Sequence, residues 1–199
     1  MSSRILCFGD SNTYGYAPHI VPEGRYPAHI RWTGRLDQTP GWDVLNHGEN
    51  GREIPHGPWK LRRMEDLLTR CGALDVMLVM LGGNDLLQGP GRTAEDVTAR
   101  MQHFLAWTLD HLAASGQKPK LLLLAPPPMQ PGTWVTEPHL LGESARLAAC
   151  YRALAQQWDI GFADTGGWGV ALTFDGVHFS EDGHQSFARQ AALAIQALL

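Results

Sequence analysis

Cysteine is scarce. Cys7, Cys71 and Cys150 are the only three, widely separated and without a CxxC pair. An odd, scattered set excludes a disulfide framework and points to a reducing compartment. Cys7 sits in an apolar run and reads as an ordinary buried residue. Excess charge of one sign is also missing: the formal net charge is −4. That argues against nucleic acid or an anionic membrane surface as the main partner. No apolar run approaches the ~20 residues that span a bilayer. Met1-Ser2-Ser3-Arg4 leads straight into a strand-like segment, without the apolar core and cleavage site of a secretory leader. The expectation is a cytoplasmic protein without membrane insertion. Internal repeats and low-complexity tracts are absent.

What is present is a globular composition, 44% hydrophobic and 18% charged over 199 residues. A chain of this length buries a full core without disulfides or structural metal and is expected to form one domain, residues 1–199. Seven tryptophans are many for this length, and burial is the plainest reading of most of them. About two are expected in a pocket or a subunit contact, which leaves room for a homo-oligomer.

Five apolar runs alternate with helix-length segments. The runs are residues 4–8, 43–46, 75–81, 120–125 and 160–163. Three are almost wholly apolar, as in Val76-Met77-Leu78-Val79-Met80-Leu81, the pattern of parallel strands covered on both faces. Helices are expected over 57–70, 94–114, 142–157 and 182–199. The second places Val97, Met101, Phe104, Leu105, Leu109 and Leu112 on one stripe. Thr93 caps it, with acidic residues in the first turn; Ser180 is a cap for the last. This alternation predicts a doubly wound α/β fold. Residues 14–31 and 126–139 read as loops. The second begins Pro126-Pro127-Pro128 and excludes helix or central strand; a long irregular stretch of this kind suits a binding loop or lid.

Each expected strand ends in unusual polar residues: Gly9-Asp10-Ser11, then Asn46 through Gly51, Gly82-Gly83-Asn84-Asp85, and Pro126-Pro127-Pro128. The segment after the fifth leads to Asp175-Gly176-Val177-His178. In a parallel sheet these ends share one edge, so distant residues converge there. A serine hydroxyl needs a base to take its proton. His178 is that candidate, since imidazole changes charge near neutral pH, and Asp175 is positioned to hold its Nδ1 proton. Negative charge forming on a carbonyl oxygen needs donors aimed at it. The candidates are the backbone N–H of Ser11, the backbone N–H of Gly48 and the side chain of Asn84. Two of these have plainer readings, Asn84 as a helix cap and Gly48 as a turn glycine. Asp10 reads as structural. Asn12, Asn50, Met129 and Val177 adjoin these residues and are expected to touch substrate; Trp134 and Phe174 could form an aromatic wall. His178, His184 and Asp175 are the best metal-ligand grouping, but their spacing suits a zinc triad poorly. No metal or cofactor is expected. The nucleophile elbow of α/β-hydrolases needs glycine on both sides of the serine; here Thr13 fills the second place.

Taken together, Gly-Asp-Ser11, Asn-x-Gly48, Gly-x-Asn84-Asp and Asp175-x-x-His178 resemble the SGNH (GDSL-type) hydrolase superfamily, across residues 5 to 184. The resemblance implies a three-layer flavodoxin-like sandwich with a five-stranded parallel sheet in the order 2-1-3-4-5. It implies the same roles: nucleophile, oxyanion donors, base and orienter, with no metal. Arg4 through Ser11, Arg31-Trp32-Thr33-Gly34 and Pro126-Pro127-Pro128 look like the bacterial arylesterase/acyltransferase branch. The substrates implied are short-chain and aryl esters as small molecules, with acyl transfer to alcohols in some members. Carbohydrate deacetylation and lysophospholipid hydrolysis are alternatives in the same superfamily; a non-catalytic flavodoxin-like ligand-binding module is a remote one. The chain departs from that branch at Asn12, where leucine is usual, and in the shortness of the loops at 14–31 and 126–139.

Overall fold

Strand β1, Ser3–Gly9, is buried on both faces from Ile5 onward and pairs in parallel with β2, Trp42–Gly48, on one side and β3, Val76–Met80, on the other. Strand β4, Lys120–Ala125, extends the sheet from β3, and β5, Gly161–Asp164, closes it. The computed structural model describes residues 2–19 and 24–199. Its sheet order is β2-β1-β3-β4-β5, the flavodoxin-like order.

Successive side chains of a strand point to opposite faces, and the core divides accordingly. Leu6, Phe8, Met77, Val79, Leu121 and Leu123 face α3 (Gly57–Cys71), α5 (Ala94–Ala114) and α6 (Pro138–Trp158). Ile5, Cys7, Leu78, Met80, Leu122 and Leu124 face α2 (Trp32–Leu36) and α7 (Glu181–Gln196). Covering both faces buries the central strands from Ile5, Val76 and Leu121 onward, which is why those stretches are apolar.

The long helices lie close to their expected bounds, and both expected caps are present: Thr93 in a reciprocal capping box with Asp96, and Ser180 accepting from the Gly183 N–H. The expectation that residues 126–139 contain no helix fails at its end. Helix α6 begins at Pro138, because the first turn needs no N–H from its leading residue and proline's fixed φ suits it. Strand β2 runs on through Gly48. Three short helices, α1 (Ser11–Tyr14), α2 and α4 (Gly83–Gln88), are too brief to show a helical period in sequence. Among the described residues no helix is long and apolar enough to cross a membrane.

The remainder of the proline-rich segment is tied to the turn that carries Asp175. Gln130 N–H donates to Gly176 O at 3.0 Å and Trp134 N–H to Asp175 O at 3.1 Å. A Cβ at Gly132 would lie 2.3 Å from the Asp175 carbonyl carbon, so only glycine permits this approach.

Candidate active site

The serine is held by the geometry of the β1–α1 turn. Asp10 caps α1 by accepting the Asn12 N–H at 3.0 Å, which makes Ser11 the first helical residue and leaves its own N–H without an intrahelical acceptor. Asp10 is therefore structural in its contacts; burial raises its carboxyl to about 6, with the Asn12 N–H and the charges of His178 and Arg52 pulling the other way.

At the opposite end of the chain, Asp175 Oδ1 accepts the backbone N–H groups of Val177 and His178, both at 2.9 Å. Its Oδ2 lies 2.7 Å from His178 Nδ1. Burial pushes the Asp175 carboxyl up, but these three hydrogen bonds outweigh it and hold the group at about 2. An ionised carboxylate can only accept, so Nδ1 carries the ring proton. That leaves the Nε2 lone pair facing Ser11 Oγ, 3.0 Å away. All three side chains are almost completely buried.

Asn12 joins the two ends. Its Nδ2 donates to Val177 O at 3.1 Å, its Oδ1 accepts the Phe179 N–H at 2.9 Å, and its own carbonyl accepts from Trp32 Nε1 at 3.0 Å. With both ends of its amide engaged, Asn12 is a strut between the serine and histidine segments. The expectation that it touches substrate is corrected. Two further expected contacts also fall away. Met129 is buried in the core with its N–H on Ser144 Oγ, and Val177 packs against the same core while its carbonyl serves Asn12. Asn50 does border the cleft.

The cleft over Ser11 has a volume of about 450 Å³. Tyr16 and Trp134 stand against His178, with ring centroids 4.6 and 4.8 Å from the imidazole. Gly51, Asn84, Leu87 and Gln88 form the other wall. Phe174 is exposed and does not border the cleft.

Gly48 does not fit the expected donor role. Its N–H is given to Asn46 Oδ1 at 2.9 Å, and it borders a different cavity. Its lack of a side chain serves packing: a Cβ there would lie 1.9 Å from Tyr14 N. Gly51 is the glycine beside Ser11 and Asn84. It sits at φ +73°, and its N–H donates to no group among the described residues. The signal for it in sequence was the turn pair Asn50-Gly51. Asn84 lies inside α4, whose cap is Gly82, so it is not a helix cap. One Asn84 amide hydrogen goes to Arg52 O at 3.2 Å; the second is unassigned. Tyr16, Leu87 and Gln88 carry no motif and were not legible.

His184 is buried away from the cleft, with Nδ1 accepting from the Trp32 N–H at 3.4 Å. Burial, and then the charges of Arg35 and Arg31, lower it to about 3. Among the described residues no group of three or more His, Cys, Asp and Glu side chains is arranged to hold a metal ion.

The arrangement has the parts needed for attack by Ser11 on a carbonyl carbon: a hydroxyl, a base with its lone pair aimed at it, and, bordering the same cleft, Gly51 and Asn84 with N–H hydrogens that meet no acceptor among the described residues. The sequence matches the GDSL-like lipase/acylhydrolase family model over residues 7–186. Among solved structures, the chain resembles the aryl esterase of M. smegmatis, with 29% identity over the whole of both chains and a TM-score of 0.84. It is similarly close to Est24, a carbohydrate acetylesterase from Sinorhizobium meliloti, with 27% identity over the whole of both chains and a TM-score of 0.84. No curated protein matches by sequence.

Proposed function

This chain belongs to the GDSL-like lipase/acylhydrolase family, and from that premise we propose that it is a serine esterase acting on small-molecule esters with short acyl or aryl groups. The observation that carries the reading is the line Asp175 Oδ2, His178, Ser11 Oγ, with contacts of 2.7 and 3.0 Å. Ser11 Oγ attacks the ester carbonyl as His178 Nε2 takes its proton. Asp175 stabilises the imidazolium and keeps its orientation. The oxyanion is held by the N–H groups of Ser11 and Gly51 and the free amide hydrogen of Asn84; Gly51 replaces Gly48 in this role. His178 then passes the proton to the departing alcohol oxygen. Water, deprotonated by the same imidazole, attacks the acyl-serine and releases the acid. An alcohol entering in place of water would give acyl transfer.

The Tyr16 and Trp134 rings beside His178, together with the likeness to Est24, favour a second reading, removal of an O-acetyl group from a carbohydrate stacked on these rings. The test compares p-nitrophenyl acetate, phenyl acetate and a peracetylated sugar. A serine-directed phosphonate should leave a single adduct on the peptide carrying Ser11. Full inactivation with the adduct elsewhere overturns the assignment.

A further inference from the structure

Between the end of β2 and α3 lies a second cavity of about 580 Å³, larger than the cleft over Ser11. The two share Gly51 and Gln88 as a common wall. This sill is latched by Gln88 Nε2 donating to Gly51 O at 3.0 Å. The cavity floor is apolar, formed by the buried side chains of Phe8, Met64 and Leu67.

Its rim is basic. Lys60, Arg63 and Arg70 face only Glu49 and Glu53 among the described lining residues, while Arg52 is turned inward, its guanidinium 4.4 Å from the Phe8 ring centre and donating to the Gly9 and His47 carbonyls. Glu49 is shared by Arg52 at 2.7 Å and Arg63 at 3.2 Å. Glu53 is shared by Lys60 at 3.1 Å and Arg92 at 3.0 Å. Arg70 has no ion pair among the described residues. The positive field reaches His47 in the same wall, where burial and then Arg52 and Arg70 keep the imidazole below its ordinary value. Trp59 stands on the rim, 67% exposed, with the Arg63 guanidinium 5.1 Å from its ring centre. An apolar floor under a partly uncompensated basic rim complements a molecule with an apolar body and an anionic head.

The catalytic geometry sets which half of a substrate would enter. The leaving oxygen must receive its proton from His178 and the oxyanion faces the N–H groups of Ser11, Gly51 and Asn84, so the alcohol lies on the Tyr16–Trp134 side and the acyl chain runs along the remaining wall, Leu87 and Gln88. We infer that acyl recognition continues over the Gly51–Gln88 sill into the β2–α3 cavity, and that esters whose acyl chain ends in a carboxylate, the half-esters of dicarboxylic acids, are preferred. The inference rests on the esterase reading above. A short neutral acyl group ends before the sill and gains nothing from the cavity.

The test compares p-nitrophenyl hydrogen suberate with its methyl-capped neutral counterpart, and p-nitrophenyl hydrogen succinate with its own capped form. The suberate half-ester is expected to show about tenfold higher kcat/KM than its capped partner, an advantage eroded by about 0.5 M salt. The succinate pair should show no such advantage, since its arm cannot cross the sill. In an Arg63→Ala/Arg70→Ala variant the suberate ratio should fall toward one. Equal rates within the suberate pair, an equal gain within the succinate pair, or a ratio that persists in the double variant overturns the inference. Turnover of p-nitrophenyl acetate separates the two readings. If the wild-type protein hydrolyses it without favouring the suberate half-ester, the cavity assignment alone fails. If it does not hydrolyse it, the esterase reading fails and takes this one with it.

Discussion

Asn12 Nδ2 donates to the carbonyl of Val177 at 3.1 Å, so the residue after the serine is bonded directly to the residue before the histidine. The other end of the same amide holds the Phe179 N–H. The contact between Ser11 and His178 is therefore braced on both sides of the imidazole by a single side chain. Replacing Asn12 with leucine should leave the Val177 carbonyl and the Phe179 N–H without partners, costing about 1–3 kcal/mol for each group left unsatisfied. A fall in kcat larger than the change in KM for p-nitrophenyl acetate is expected. An unchanged kcat would mean the strut does not position the histidine.

Ser11→Ala removes the nucleophile and only one small polar atom. Hydrolysis of p-nitrophenyl acetate should fall by at least about 10⁴-fold, by analogy with other serine triads, while the melting temperature stays within a few degrees of wild type. Residual activity near wild type would require another nucleophile.

The two glycines of the β2 loop should separate cleanly. Gly48→Ala sets a Cβ 1.9 Å from Tyr14 N and must push α1 away, so a large loss of thermal stability is expected. Gly51→Ala meets nothing closer than Gln88 Nε2 at 4.0 Å. Its strain comes from φ +73°, at about 1 kcal/mol, and its main effect should be on kcat. Thermal melts and kinetics on both variants check this; a stable Gly48→Ala protein with a selective loss of kcat would restore Gly48 as the donor.

His184 makes the fold sensitive to acid. Its pKa falls from the ordinary 6.5 to about 3 in the folded protein, so the unfolded chain binds this proton first. The stability it contributes is complete above about pH 6.5 and is lost as pH falls from there toward about 3, by up to about 1.4 kcal/mol per pH unit. Asp175, lowered from 3.8 to about 2, adds a loss only below its ordinary value, as pH falls toward about 2. Asp10, raised from 3.8 to about 6, acts in the opposite sense below about pH 6 but equally in both proteins, so as pH falls from about 7 to about 4.5 the melting temperature of His184→Phe should rise relative to that of the wild type. Parallel slopes would show that His184 titrates normally.

Trp134 is half exposed yet stands against His178, where the alcohol half of an ester would lie. Trp134→Ala should raise KM for phenyl acetate more than for ethyl acetate, because a lost aromatic contact is worth about 0.5–1.5 kcal/mol. Equal effects on both esters would assign the ring to packing alone.

The fold was legible because local physics dictates it. Val76 through Leu81 and Leu121 through Ala125 are apolar on both faces, which only strands covered on both sides require, and Thr93 and Ser180 cap helices by contacts within a few residues. Ser11, Asp175 and His178 were legible because the strand ends of a parallel sheet share an edge. The failures share a cause. Asn12, Met129 and Val177 adjoin motif residues in sequence, but the direction of a side chain depends on what packs around it, and here the surroundings take up their polar groups or bury them.

By itself, the order of residues determined an open parallel sheet with a hydroxyl, an amide, a carboxylate and an imidazole along one rim, since strand periodicity and topology follow from short-range pattern. Tertiary structure alone decided that Gly51 rather than Gly48 flanks the serine, that Asn12 spans the chain's two ends, and that Tyr16 and Trp134 enclose the histidine. Those outcomes depend on which backbone N–H is already bonded and which face of a turn meets solvent, and both are set only when segments far apart in sequence pack against one another.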